Sequence, residues 1–322
     1  MPLYPLKFNT IYKEKLWGGQ KIKSLLGKDF GELDNCGETW ELSGVQGNIS
    51  VAENGDFKGK DLAWLVKEKK GELVGDSVYE HFGDEFPLLI KFIDANQDLS
   101  IQVHPDDRLA KERHNGFGKT EMWYILQADK GATLINGFNR DIDKAEYLSH
   151  LNNGNLIDLL NREEVKEGDV FYLPAGRVHT IGKGLLLAEI QQTSDLTYRI
   201  YDFDREDKDG NKRELHTELA VEAIDYSKPS QIKSAYKRDL NQTNTIVSSR
   251  FFTTNKIEAR QEMSVDRSAL DSFKIYIAVS GSGKIAGEKI SFGEVMLVPA
   301  SMKNYQIEPD EALDLLESYI QL

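Results

Sequence analysis

Strict alternation over residues 99–104, LSIQVH, puts Ser100, Gln102 and His104 on one face of a strand and Leu99, Ile101 and Val103 on the other. Short runs of this kind recur along the chain, separated by Gly, Asn and Asp. Strands are predicted for FPLLIKFIDA, LSIQVH, EMWYILQ, ATLING, DVFYLP, LLLAEIQQT, RFFTTNKIEA, FKIYIAV and VMLVPA. Helical spacing predicts helices at 59–81, 106–114, 142–161 and 214–224. Strands outnumber helices, so the helices are expected at the periphery. REDKDGNKR at 205–213 reads as a solvated, turn-rich loop.

GDVFYLPAG at 168–176 is echoed by GEVMLVPAS at 293–301, and WYILQADKGATL at 123–134 by IYIAVSGSGKI at 275–285. One β unit therefore occurs twice. In the first copy Gly168, Pro174, Gly176 and His179 match the turn signature of cupins, which are double-sheet jelly rolls. The fold class expected is mainly β, with two cupin-type jelly-roll barrels and peripheral α-helices. Aligning the copies puts Asn304 opposite His179 and Phe273 opposite Glu121, so the second unit lacks the ligand-type residues. KPSQIK and NQTNT, near 228–245, look like connecting chain, which divides the protein into a catalytic, metal-binding unit at 1–230 and a degenerate barrel at 231–322.

With 322 residues the chain can bury a core without a metal or disulfide. Forty Lys and Arg against 53 Asp and Glu leave a net charge of −13, which disfavours nucleic acid and anionic membranes as partners. A small anionic substrate then requires a local basic pocket. The single Cys36 excludes an intrachain disulfide, and no secretion signal is evident in residues 1–30, so a reducing cytoplasm is the expected compartment. Mean hydropathy is −0.48, with no apolar run of the roughly 18 residues a membrane span requires.

Candidate chemistry concentrates in a few segments. His179 follows the Pro-Ala-Gly turn, Glu121 opens the apolar run MWYIL, and Gln102 and His104 share a strand face. Two imidazoles, a carboxylate and an amide are the inventory of a zinc-like site. A carboxylate at the head of an apolar strand is costly unless it meets a cation. Lys91 lies inside FPLLIKFIDA, where an ammonium needs a counter-charge. Glu189 follows the His179 turn, and SDLTYRIYDFDR brings Asp195, Arg199 and Arg205 close behind. His81, His114, His150 and His216 have helical or loop settings and read as surface or capping residues. Trp17 and Trp40 are expected to serve packing.

The ordered set LWGG at 16–19, GETWELS at 37–43, PLLIKFIDA, LSIQVHPDD, KTEMWYIL, GDVFYLPAGRVHTIG and SDLTYRIYDFDR resembles the type I phosphomannose isomerase family in its short bacterial form, over about residues 5–226. The resemblance implies reversible isomerisation of mannose 6-phosphate and fructose 6-phosphate through a cis-enediol. It also implies one zinc, or another divalent metal, held by Gln102, His104, Glu121 and His179. Arg199 corresponds to the family's catalytic arginine, and Ser100 and Lys91 to its substrate contacts. Arg205 stands where longer relatives carry a phosphate-contacting Lys. Glu189 and Asp195 are the candidate proton shuttles, and Lys119 a candidate proton relay or ring opener. The partner expected is a small sugar phosphate, and the assembly a monomer or homodimer. Two other readings share these residues: a cupin that binds a sugar phosphate without turning it over, and a metal-dependent oxygenase, since a facial triad also uses two His and one carboxylate.

Overall fold

The mostly apolar run at 86–95, interrupted by Lys91 and Asp94, becomes the strand Leu88–Ala95, and all eight of its residues are buried. A strand with one wet face would alternate, so this one is covered on both sides. In the computed structural model, which describes residues 2–322, it lies within a six-stranded antiparallel sheet ordered Ile11–Lys13, Glu38–Leu42, Leu88–Ala95, Leu185–Gln192, Glu121–Ala128 and Val170–Leu173. One face carries Leu88, Ile90, Phe92, Met122 and Ala188 into a core shared with Ile275, Ile277, Leu297 and Leu316. The other turns Ile93, Trp123, Ile125 and Leu187 toward Leu134 and Ile181.

Those last two residues belong to a five-stranded sheet ordered Tyr198–Tyr201, Ile101–Val103, His179–Ile181, Thr133–Phe138 and Leu160–Glu164. Its outer face packs through Ile101, Val103 and Phe138 on Tyr147 and Ala220, from the helices Lys144–Asn152 and Thr217–Ala223. Each apolar side chain so buried contributes about 1.5–3 kcal/mol. A third, seven-stranded sheet is formed between Thr243 and Tyr319 and closes around Ile257, Tyr276, Ile307 and Leu315. The architecture is mainly β, two cupin-type jelly-roll barrels with peripheral helices, as the sequence predicts. No helix among the described residues is long and apolar enough to cross a membrane.

Three of the four predicted helical stretches hold. The 59–81 stretch forms three short helices, Leu62–Lys69, Gly71–Val74 and Asp76–Phe82, interrupted by positive φ at Lys70 and Gly75. Asp106 caps the helix Asp107–His114 by accepting from the Leu109 amide at 2.8 Å. The 142–161 expectation is corrected: the helix stops at Asn152, and Leu160–Glu164 is a strand paired with Thr133–Phe138. Gly154, with φ of 72°, supplies the stop. Missing from the prediction is the longest strand, Asn304–Tyr319. It pairs with Met263–Asp266 near its start and with Thr253–Ala259 near its end, while its middle is partly exposed and charged, so no single alternation runs through it.

The repeat is real at the level of hydrogen bonds, but its register differs by one residue from the sequence alignment. Gly168 and Gly293 both take positive φ, 81° and 85°, at the same turn. The Gly168 amide donates to the Ile125 carbonyl and that of Gly293 to the Ala278 carbonyl, so Ile125 matches Ala278. Glu121 pairs with Leu173, and Lys274 with Val298. The residue matching Glu121 is therefore Lys274, not Phe273. Because both faces of this strand are buried in both copies, a slip by one keeps every position apolar-compatible, and hydrophobicity alone does not set the register.

Lys274 ends in a buried polar cluster. Its Nζ lies 2.9 Å from Glu317 Oε2, which also accepts from Tyr276 Oη at 2.8 Å, while Asn255 Nδ2 donates to Oε1 at 3.1 Å. Removing the ammonium alone leaves a buried carboxylate uncompensated. Lys274→Met is expected to cost about 3–5 kcal/mol in urea denaturation, and Lys274→Met combined with Glu317→Leu to recover most of that loss.

Candidate functional site

Two strands of the five-stranded sheet and one of the six-stranded sheet bring four side chains together. Gln102 on Ile101–Val103 pairs directly with His179, the first residue of His179–Ile181. The Gly176 amide donates to the His104 carbonyl at 2.9 Å, tying the Pro-Ala-Gly turn to the end of the Ile101–Val103 strand. Gly176 has φ of 89°, and a Cβ there would press on the Ala223 carbonyl at 3.0 Å, which explains the glycine in the motif. Glu121 faces the pair from the opposite sheet.

The resulting geometry is compact. His104 Nε2 lies 3.4 Å from Glu121 Oε2, and His179 Nε2 3.4 Å from Glu121 Oε1. One ligand-type atom from each of the three residues falls within 4.8 Å of the others, and all three residues are buried. His104 Nδ1–H donates to the Leu196 carbonyl at 2.9 Å and His179 Nδ1–H to the Arg177 carbonyl at 2.8 Å. These bonds select the tautomers whose Nε2 lone pairs point at the carboxylate. Burial, with Lys119 nearby, overrides Glu121 and lowers the pKa of His104 to about 3. Burial likewise lowers that of His179 against the pull of Glu121. Burial acts to raise the Glu121 pKa, but the Lys119 ammonium outweighs it and holds the carboxyl well below its ordinary range.

Two neutral imidazole lone pairs therefore face an ionised carboxylate. His104 Nε2 and both Glu121 oxygens are buried without a hydrogen bond. Such an arrangement of acceptors without donors fits a divalent cation. Gln102 Nε2 lies 3.3 Å from His179 Nε2, and Ser100 Oγ donates to Gln102 Oε1 at 3.3 Å. Turning the carboxamide by 180° presents its oxygen at the same point.

This cluster adjoins a cavity of about 420 Å³. Of the residues singled out in the sequence, Lys91, Ser100, Gln102, Lys119, Glu189, Asp195 and Arg199 all line it. Arg205 does not. Lys91 and Glu189 are cross-strand partners whose Nζ and Oε1 are 3.1 Å apart, and Trp123 Nε1 donates to Glu189 Oε2 at 2.8 Å. Burial would neutralise Lys91, but Glu189 and Glu38 outweigh it and raise its pKa above the ordinary value. Lys119 Nζ lies 3.3 Å from Glu121 Oε2. Arg199 stands opposite Gln102 in the sheet register and donates from Nη1 to the Glu214 carbonyl at 2.7 Å. Asp195 is exposed at the cavity wall, in a segment whose next residue, Leu196, positions His104. A larger groove of about 960 Å³ lies against residues 192–196 and contains none of the four ligand-type residues.

Lys13, Lys15, Glu38, Asn48 and Arg213 also line the cavity and escaped the sequence reading. A signal existed for Glu38, which alternates with Trp40 in ETWEL. Burial favours a neutral Glu38, yet Lys91 and Lys15 prevail and lower its pKa to about 2. Trp17 and Trp40, expected to serve packing, are buried and also line the cavity, with Lys13 and Lys91 each about 5 Å from the Trp40 ring. Six cationic side chains face three carboxylates around this space, an excess of positive charge in an otherwise acidic protein.

Comparison with known proteins agrees with this layout. A family model described as phosphomannose isomerase type I, catalytic domain, matches residues 5–135. The mannose-6-phosphate isomerase of Streptococcus mutans is 36% identical over 320 residues, covering 98% of each chain. Mannose-6-phosphate isomerase ManA of Bacillus subtilis is 36% identical, covering 96% of this chain and 97% of its own. The crystal structure of the mannose 6-phosphate isomerase from Bacillus subtilis superposes with a TM-score of 0.87 at 34% identity, over 98% of this chain and 99% of the other. With sequence and fold shared over nearly the full length of these relatives, the chain belongs to the type I phosphomannose isomerase family.

Proposed function

We propose that the protein interconverts mannose 6-phosphate and fructose 6-phosphate, using one zinc held by Gln102, His104, Glu121 and His179. The observation that carries this reading is the convergence of two lone-pair imidazoles and an ionised carboxylate beside a cavity rich in cations. Residues 1–230 form the catalytic unit in this reading, and residues 231–322 its companion barrel without metal ligands.

The reaction takes a proton from the carbon next to the sugar carbonyl and returns it to the carbonyl carbon itself through a cis-enediol, the carbonyl shifting to the neighbouring carbon, and negative charge develops on the two adjoining oxygens. When bound, the metal supplies Lewis acidity toward those oxygens. Arg199 adds fixed positive charge on the same side of the cavity as Gln102. Ser100 and Lys91 contribute hydrogen-bond donors, and Glu189 holds Lys91 in place. Lys119 balances Glu121 at the metal end of the cavity and stands ready to give a proton to a ring oxygen. Of the two carboxylates proposed as shuttles, Glu189 spends both oxygens on Lys91 and Trp123, whereas Asp195 faces the cavity from an exposed segment. Asp195 is therefore the better placed to move the proton.

Elemental analysis should find about one zinc per chain, and His104→Ala or His179→Ala should abolish stoichiometric loading; a full complement in either variant would refute the ligand set. Arg199→Ala should lower kcat by about 10²–10³ with zinc retained. In deuterated water, Asp195→Asn should suppress both turnover and solvent exchange at the sugar carbon by about 10²–10⁴, a larger loss than in Glu189→Gln; the reverse order would assign the shuttle to Glu189.

A further inference from the structure

The segment 205–213 is largely exposed, as its charge suggests, yet its last residue turns back and Arg213 lines the cavity beside Arg199. Asp202, buried just after the strand Tyr198–Tyr201, holds it there. Asp202 Oδ2 accepts from Arg213 Nε at 2.7 Å and Oδ1 from Arg213 Nη2 at 2.5 Å. The same carboxylate accepts from Arg205 Nη2 at 2.5 Å. Three guanidinium groups, Arg199, Arg205 and Arg213, thus gather around one carboxylate, and the nearby Glu214 side chain is 84% exposed. Positive charge is in surplus.

The donors divide unequally. Arg205 is turned away, giving Nη1 to the Asp98 carbonyl at 2.5 Å and Nε to the Asp202 carbonyl at 3.3 Å. The bonds of Arg213 to Asp202 use Nε and Nη2 and leave its Nη1 for a ligand. Arg199 Nε is buried with no acceptor. Two adjacent, half-buried guanidinium groups with donors to spare on a cavity wall are matched by a tetrahedral oxyanion, whose several oxygens accept from both.

We infer that Arg213, positioned by Asp202 and acting beside Arg199, is the residue that recognises the phosphate group of the substrate, in place of Arg205. The inference rests on the isomerase reading for the identity of the sugar phosphate, while the anion site stands on the arginine geometry. It makes the loop at 205–213 a determinant of preference for phosphorylated over free sugars.

The test uses the metal-loaded full chain. In Arg213→Ala the KM for mannose 6-phosphate should rise, and affinity for inorganic phosphate measured by calorimetry should fall, each by about 10- to 100-fold, with kcat changed far less. Arg213→Lys should recover only part, because an ammonium cannot engage Asp202 and the anion with a planar fork. Lys208→Ala, in the same exposed loop, should leave both values as in the parent. The proposal is overturned if Arg213→Ala binds inorganic phosphate like the parent protein, or if Arg205→Ala shows the larger loss. Should the parent protein fail to turn over mannose 6-phosphate, the isomerase reading falls, and calorimetry with inorganic phosphate still decides the anion site.

Discussion

The lone pairs of two buried imidazoles converge on one ionised carboxylate, and most of the first barrel is arranged to hold that conjunction together. Leu196 and Arg177 take the outward Nδ1 protons, so both rings present Nε2 inward. Glu121 comes from the opposing sheet, so the cluster draws on both walls of the jelly roll. On its own this is an electrostatically unfavourable packing of acceptors, relieved by Lys119 at 3.3 Å from Glu121 and by Gln102 Nε2 at 3.3 Å from His179 Nε2. The apolar residues around it, including Trp123 and Ile181, exclude the water that would otherwise satisfy those atoms.

A second constraint is the interior placement of charge around the cavity. Lys91 and Glu189 lie on adjacent central strands of the six-stranded sheet, where the residues on either side of each, Ile90, Phe92, Ala188 and Ile190, are apolar. They are tolerated because each satisfies the other and Trp123 closes the remaining valence. Glu38 and Lys15 continue the network along the wall at 3.3 Å. A preorganised field of this kind would act on a sugar bound in the proposed site without having to reorient during reaction.

Much of this was legible in the sequence wherever chemistry and periodicity coincide. LSIQVH announces its polar face by alternation, and the Gly-Pro-Gly-His spacing marks the turn before His179. The nine predicted strands all correspond to strands of the structure. What escaped was whatever depends on long-range pairing. Arg213 is one charged residue among many in a polar loop, and only the Asp202 contact distinguishes it from Lys208 or Lys212. Lys13 ends a three-residue strand too short to show a period, and Lys15 lies just beyond it. The Phe273 alignment failed because a doubly buried strand has no wet face to fix its phase. The strand Asn304–Tyr319 changes partners midway, so no local window carries its pattern.

Lys274 occupies the sheet position that Glu121 holds in the other half, and its ammonium meets Glu317 where the first half gathers buried acceptors. One half thus carries its positive charge as a covalent part of the polypeptide, and the other offers acceptors that a dissolved cation would balance. If the proposed metal is bound, chelation acts on the two halves unequally: the C-terminal barrel keeps its internal charge balance, and the half that contains Glu121 is left electrostatically frustrated.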